Sequence, residues 1–304
     1  MLKLNAISIW LVIILLANLG WVNAVCERNG AIHMDAERHP KPFKEPTQAD
    51  IDLAVSLFSE SDSSSYLVAR TAIIQKGADA YPILCVLYIF SAPVVVDGWF
   101  EDEIGAFHRS WPKEGEIYVY DKVKANELLD GLILSLGPQL IPPISKALFD
   151  GDIIDRALSF HTFEVLDGKY EQSIPILIDA LDILDPFGSN DVPVLHTASK
   201  ILASYDVDVV LPALIIAITT RDDSIKIGAI NTVSIFGRGA YDALPTLVDS
   251  LGNNNEWIRI AAIKAISSVG KGTEAPKKYA KLLLDDPVEY VRQAAKAVLA
   301  SNEG

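Results

Sequence analysis

The sequence predicts an all-α fold, a right-handed α-solenoid of about seven antiparallel helical hairpins. Three observations predict it. A helix-forming block recurs without gaps at a spacing of 33 residues, in Asp223-Ser224-Ile225-Lys226, Glu256-Trp257-Ile258-Arg259 and Glu289-Tyr290-Val291-Arg292. A shorter apolar block with an early proline alternates with it. Half of the 304 residues are hydrophobic and only 22% are charged, which suits a chain with a long continuous core and excludes a disordered one.

Met1 to Ala24 has one charge, Lys3, then an apolar stretch from Ala6 to Trp21 and a small-residue ending at Val22-Asn23-Ala24. That is the layout of a secretory signal peptide, so export to the periplasm or the extracellular space with cleavage near Ala24 is expected. A retained membrane anchor and a lipoprotein linked through Cys26 are the competing readings. Residues 25–47 are polar and hold Pro40, Pro42 and Pro46, as a flexible leader does.

Paired helices follow from residue 48 to 301. The apolar spacing places them at 48–60 with 62–76, 78–91 with 124–136, 138–149 with 151–166 and 171–184 with 190–204. They continue at 208–219 with 222–236, 240–251 with 254–269 and 273–284 with 287–301. First helices carry the proline, at Pro82, Pro142, Pro175, Pro212 and Pro245, where a first-turn position tolerates it. In the second helices each acid stands three residues after Thr220, Asn253 or Asp286, which predicts a capping box. The acid and the base three residues later, Asp223 with Lys226, Glu256 with Arg259 and Glu289 with Arg292, are neighbours on the helix surface. Small pairs follow in register, Gly228-Ala229, Ala261-Ala262 and Ala294-Ala295, and allow close helix approach. Gly237 and Gly270 end the helices, where a left-handed residue is expected.

Residues 92–123 interrupt the array inside the second hairpin. This insertion holds Trp99, Phe100, Phe107 and Trp111 beside Glu101, Asp102 and Glu103. Long insertions on repeat proteins tend to lie on one face and carry binding. The alternative is a structural flap that packs back onto the array through Ile117-Tyr118-Val119-Tyr120. A shorter irregularity at 185–191 reads as a solvated turn.

The acid-x-x-Arg followed by Ala-Ala, in paired helices of this length, resembles HEAT repeats, and specifically the short form named after phycobilisome lyases. The resemblance implies a stacked solenoid that binds partners along its concave face. It also brings two enzymatic possibilities. Di-iron hydroxylases among such proteins carry His-Glu pairs, but His33, His39, His108, His161 and His196 are followed by Met34, Pro40, Arg109, Thr162 and Thr197. Bilin lyases are the other relatives, and no bilin pocket is recognisable.

The net charge of −14 argues against nucleic acid, because phosphate binding needs clustered Lys and Arg. Removing the first segment takes away Lys3 and no acid, so the charge becomes −15. Cys26 and Cys85 lack metal or CxxC spacing, and in an oxidising compartment they either pair or leave Cys85 as a buried hydrophobe. No GxSxG, P-loop or GxGxxG occurs, no metal or cofactor is implied, and the basic column Lys226, Arg259, Arg292 reads as structural. The expected function is an exported, non-catalytic scaffold for a protein or peptide partner, held by the concave face or the 92–123 insertion. A HEAT-like enzyme or enzyme-associated subunit, or a membrane-tethered assembly factor with an uncleaved first segment, is the alternative.

Overall fold

The computed structural model describes residues 44, 46–59, 63–91, 122–151, 153–182 and 197–301. These residues form fourteen α-helices, joined by 3-10 turns, and among them there is no strand. In chain order the helices are α1 (Gln48–Ser56), α2 (Ser64–Lys76), α3 (Tyr81–Ser91), α4 (Lys122–Leu136), α5 (Ile141–Asp150), α6 (Ile153–Leu166) and α7 (Ile174–Asp179). They continue as α8 (Thr197–Leu202), α9 (Val207–Thr220), α10 (Asp223–Phe236), α11 (Leu244–Ser250), α12 (Glu256–Val269), α13 (Ala275–Leu282) and α14 (Glu289–Ser301).

The even-numbered helices pack each on the next, from α2 through α4, α6, α8, α10 and α12 to α14, and make one layer. Odd-numbered helices pack on their own hairpin partners, and α7, α9 and α11 also touch in sequence. The core between the layers runs unbroken from Ile51 to Val298. An all-α solenoid of stacked helical hairpins is therefore the architecture, and it follows from one-sided apolar helices that bury their faces only against the next hairpin.

Local chemistry shows how several of the helices are started. Thr47 forms a capping box with Asp50: its hydroxyl accepts from the Asp50 N–H, and its own N–H donates to Asp50 Oδ2 at 2.9 Å. Ser63 and Asp206 cap α2 and α9 from their side chains. In the 33-residue copies the expected capping box is displaced. Asp223 and Glu256 are first helical residues, and the caps are Asp222 and Asn255. Asn255 Oδ1 accepts from the Trp257 N–H at 2.9 Å, while Thr220 donates back into the end of α9, to the Ile216 carbonyl. Asn253 and Asp286 instead make two-residue turns, accepting from the Asn255 and Val288 N–H groups. The acids thus favour the helix dipole from the first turn but close no box.

The prolines differ in a similar way. Pro142, Pro143, Pro175 and Pro245 stand in first turns, and Pro276 adds a further copy of that column in α13. Pro212 lies inside α9, because the Asp206 cap starts that helix one turn earlier than the proline alone suggests. Gly237 has φ +52, but Gly270 is right-handed at φ −88, against the expectation. Gly270 is a matter of space instead: an added Cβ would stand 2.9 Å from the Ile266 carbonyl and 3.1 Å from Pro276 Cδ.

Two apolar stretches, Ser64–Ser91 and Val123–Asp150, have the length and composition of membrane spans. Each is bent by a 3-10 turn, at Gly77–Ala80 and Gly137–Leu140, and half or more of each is buried in the array. They are the α2–α3 and α4–α5 connections of a packed solenoid.

Candidate functional site

The helix pair that brackets the insertion is well anchored. α3 ends at Ser91, α4 begins at Lys122, and the two helices pack on each other. Lys124 Nζ donates to the Phe58 and Ser59 carbonyls at 2.9 and 3.2 Å, tying α4 to the end of the first helix. Phe58 meets Phe90 edge to face at 5.9 Å. The insertion residues named from sequence, Trp99, Phe100, Glu101, Asp102, Glu103, Phe107 and Trp111, lie outside the described residues, as do Cys26, His196 and the 185–191 turn.

Polar groups between α3, α4 and α6 are satisfied by one another. Tyr81 donates its hydroxyl to Asp155 Oδ1 at 2.6 Å, and Asp155 is only 3% exposed. Burial, followed by the neighbouring Cys85 and Asp155, pushes the Tyr81 hydroxyl far above the usual phenol range, so it stays protonated. Cys85 is buried, with its sulfur 3.9 Å from the same carboxylate oxygen. Six residues further along α6, His161 Nε2 lies 2.8 Å from Asp130 Oδ1, and its ring is 5.8 Å from that of Tyr88. Burial, then the charge of Glu164, raises Tyr88 to about 12. Among the described residues no group of three or more His, Cys, Asp or Glu is placed to hold a metal ion. A shallow pocket of about 140 Å³ lies between α2 and α4, lined by Tyr66, Arg70 and Glu127 among others, too small for a large chromophore.

The repeat column behaves differently from a simple row of helix-surface pairs. Lys226 does approach Asp223, at 4.0 Å. Arg259, only 8% exposed, turns away from Glu256. Its Nε and Nη2 donate to the two oxygens of Asp286, both at 2.9 Å, and its Nη1 donates to the Asn253 and Asn254 carbonyls. Arg292 Nη1 repeats the carbonyl half of this arrangement, donating to Asp286 O at 2.6 Å and Pro287 O at 2.9 Å. The arginine therefore anchors the loop before its own helix, and Arg259 also reaches the loop of the next repeat. Its hydrogen bonds are the largest reason that the Asp286 carboxyl is held below the ordinary carboxylate range. Four of the five N–H donors of the Arg259 guanidinium are thus spent inside the fold.

What the column leaves exposed is aromatic. Trp257 and Tyr290, the second residues of α12 and α14, are 56% and 64% exposed, and their rings stack with centroids 6.5 Å apart and planes inclined by 20°. Sequence reasoning passed over this pair. Its signal was the variable residue of acid-x-Ile/Val-Arg, aromatic in two successive copies.

Comparison with known proteins gives two findings. Residues 211–300 match the family of HEAT repeats. A solved structure, the complex of CpcE and CpcF of phycocyanin lyase from Nostoc sp. PCC7120, is similar over 85% of this chain and 96% of that chain, at 13% identity and a TM-score of 0.26. No curated protein matches the chain in sequence. The matched HEAT region spans α9 to α14 and contains the three copies of the acid-x-x-base column and the stacked Trp257–Tyr290 pair.

Proposed function

We propose that this protein is an exported, non-catalytic HEAT-like scaffold that holds a protein or peptide partner. One observation carries the reading. Among the described residues, the buried or half-buried groups that chemistry would draw on are paired with one another, Asp155 with Tyr81, His161 with Asp130 and Asp286 with Arg259. The large side chains that two successive repeats leave in solvent at the same position are aromatic, and aromatic residues are enriched where proteins meet. The 92–123 insertion, with Trp99, Phe100, Phe107, Trp111 and its acids, is the second recognition element in this reading. Export rests on the pattern of Met1–Ala24.

Affinity capture from the exported fraction tests the reading, with bound proteins identified and then reconstituted from purified components. A stoichiometric protein partner is expected, with retention lost when residues 97–115 are deleted or Trp257 is replaced by alanine. Metal analysis and an absorption spectrum of the purified chain give the opposing result: near-stoichiometric iron or a bound chromophore would overturn a non-catalytic scaffold. Sequencing the mature amino terminus checks export, and a start at Met1 refutes cleavage near Ala24.

A further inference from the structure

The Trp257–Tyr290 pair does nothing for the core. The residues that follow each ring, Ile258 and Val291, are buried and supply the packing, while the rings stand in solvent. Single exposed hydrophobics are ordinary, but two large rings aligned by the repeat make a patch. Their 6.5 Å centroid distance is at the wide end for stacked aromatics, so much of each ring face is open.

Acids outnumber bases around the rings. Glu256 and Glu289 directly precede the two rings, and the exposed Asp222, Asp223 and Asp285 lie in the same row of helix starts. The cations of this edge are held close to the helix starts, and of these only Arg292 lacks a carboxylate partner among the described residues. Lys226 sits beside Asp223, Arg259 is buried on Asp286, and Arg292 is bonded to two carbonyls. Among the described residues no ion pair includes Glu256 or Glu289; Glu289 accepts only from the Gln293 side-chain amide, at 3.0 Å. Open ring faces flanked by unneutralised carboxylates select a cation. A guanidinium fits better than an ammonium, because it is planar, weakly hydrated, stacks on aromatic faces and forks onto a carboxylate.

We propose that the edge formed by the starts of α12 and α14 docks an arginine-bearing basic peptide segment of a partner protein, its guanidinium stacked on Trp257 and Tyr290 and paired with Glu256 or Glu289. This rests on the scaffold reading and names the chemistry of its partner. Fluorescence anisotropy with the full chain tests it. The probes are a fluorescein-labelled peptide carrying arginine among glycine and serine, and the same peptide with lysine or with uncharged citrulline in place of arginine. The arginine peptide is expected to bind about fivefold tighter than the lysine one, with the citrulline one unbound. Replacing both rings, W257A with Y290A, weakens binding about tenfold or more, and W257F with Y290F retains most of it. E256Q with E289Q weakens binding and flattens its salt dependence. Both rings are exposed, so the variants keep the wild-type melting temperature. Equal binding of the arginine and citrulline peptides, wild-type affinity in the double alanine variant, or no binding of the arginine peptide overturns the proposal. If the arginine peptide fails while a protein partner is still captured, this inference falls and the scaffold reading stands; loss of both removes both.

Discussion

Arg259→Ala removes the most concentrated set of contacts in the array. Four hydrogen bonds end on this guanidinium, two on the Asp286 carboxylate at 2.9 Å and two on the Asn253 and Asn254 carbonyls at 2.8 and 3.1 Å. The Asp286 side chain is only 6% exposed, so the variant leaves a nearly buried carboxylate with the Val288 N–H and the nearby charge of Arg292. Breaking a buried pair from one side costs about 3–5 kcal/mol, and the surviving N–H bond places the expected loss near 3 kcal/mol. Arg259→Lys keeps the charge without the fork and recovers part of it. Because a repeat array need not unfold in one step, urea unfolding is to be read together with hydrogen exchange, and the loss should localise to α12 through α14. The pH dependence has a definite sign. Asp286 is depressed from the ordinary 3.8, so its contribution is present above that value and is lost as pH falls through the lowered one. The variant should lose that acid limb. A cost below about 1 kcal/mol, the range of an exposed pair, refutes the anchor, and so does strict additivity of Arg259→Ala with Asp286→Ala.

Other substitutions test the packing argument. Gly228→Ala in α10 brings a Cβ to 2.8 Å from Leu181 Cβ and 3.2 Å from its carbonyl oxygen, so it should lower stability by about 1–2 kcal/mol in thermal melts despite its better helix propensity. Gly131→Ala in α4 meets nothing within 4 Å and should raise stability by about 0.5–1 kcal/mol in the same assay. Tyr81→Phe removes the 2.6 Å donor of buried Asp155 and should cost about 1–3 kcal/mol in urea unfolding. Spectrophotometric titration of the tyrosines should show Tyr88 ionising near 12 and Tyr81 not ionising before the fold is lost, with one high-pH transition missing in Tyr88→Phe.

The solenoid was legible because its cause is periodic. A 33-residue register and an apolar face on every helix leave stacking as the one arrangement that covers all the faces. Boundaries were less legible, since two polar residues in a row compete for the cap. Thr220 and Asn253 both have cap-forming side chains, yet Asp222 and Asn255 stand closer to the first apolar turn and occupy the cap position, Asn255 with a side-chain bond and Asp222 without one. Pro212 reads as a start signal although a better cap, Asp206, lies upstream and pulls the helix back over it. Gly270 carries the repeat position for lack of room rather than for a left-handed turn, a distinction that needs the position of Pro276.

Sequence spacing also misassigns the partner of a long side chain. At three residues, Glu256 is the nearest acid to Arg259 along the helix, and surface pairs at that spacing contribute a few tenths of a kcal/mol. Asp286 lies 27 residues away yet wins, because the small residues Ala261 and Ala262 let α14 and its loop come close and because a buried fork satisfies both oxygens at once. That choice has a consequence for recognition. By spending its arginine inward, the repeat leaves its acid and its aromatic outward, and the edge becomes negative although each copy has as many bases as acids in its acid-x-x-base column. Net composition shows only that the chain is acidic; the direction in which Arg259 points locates an unneutralised part of that charge beside Trp257.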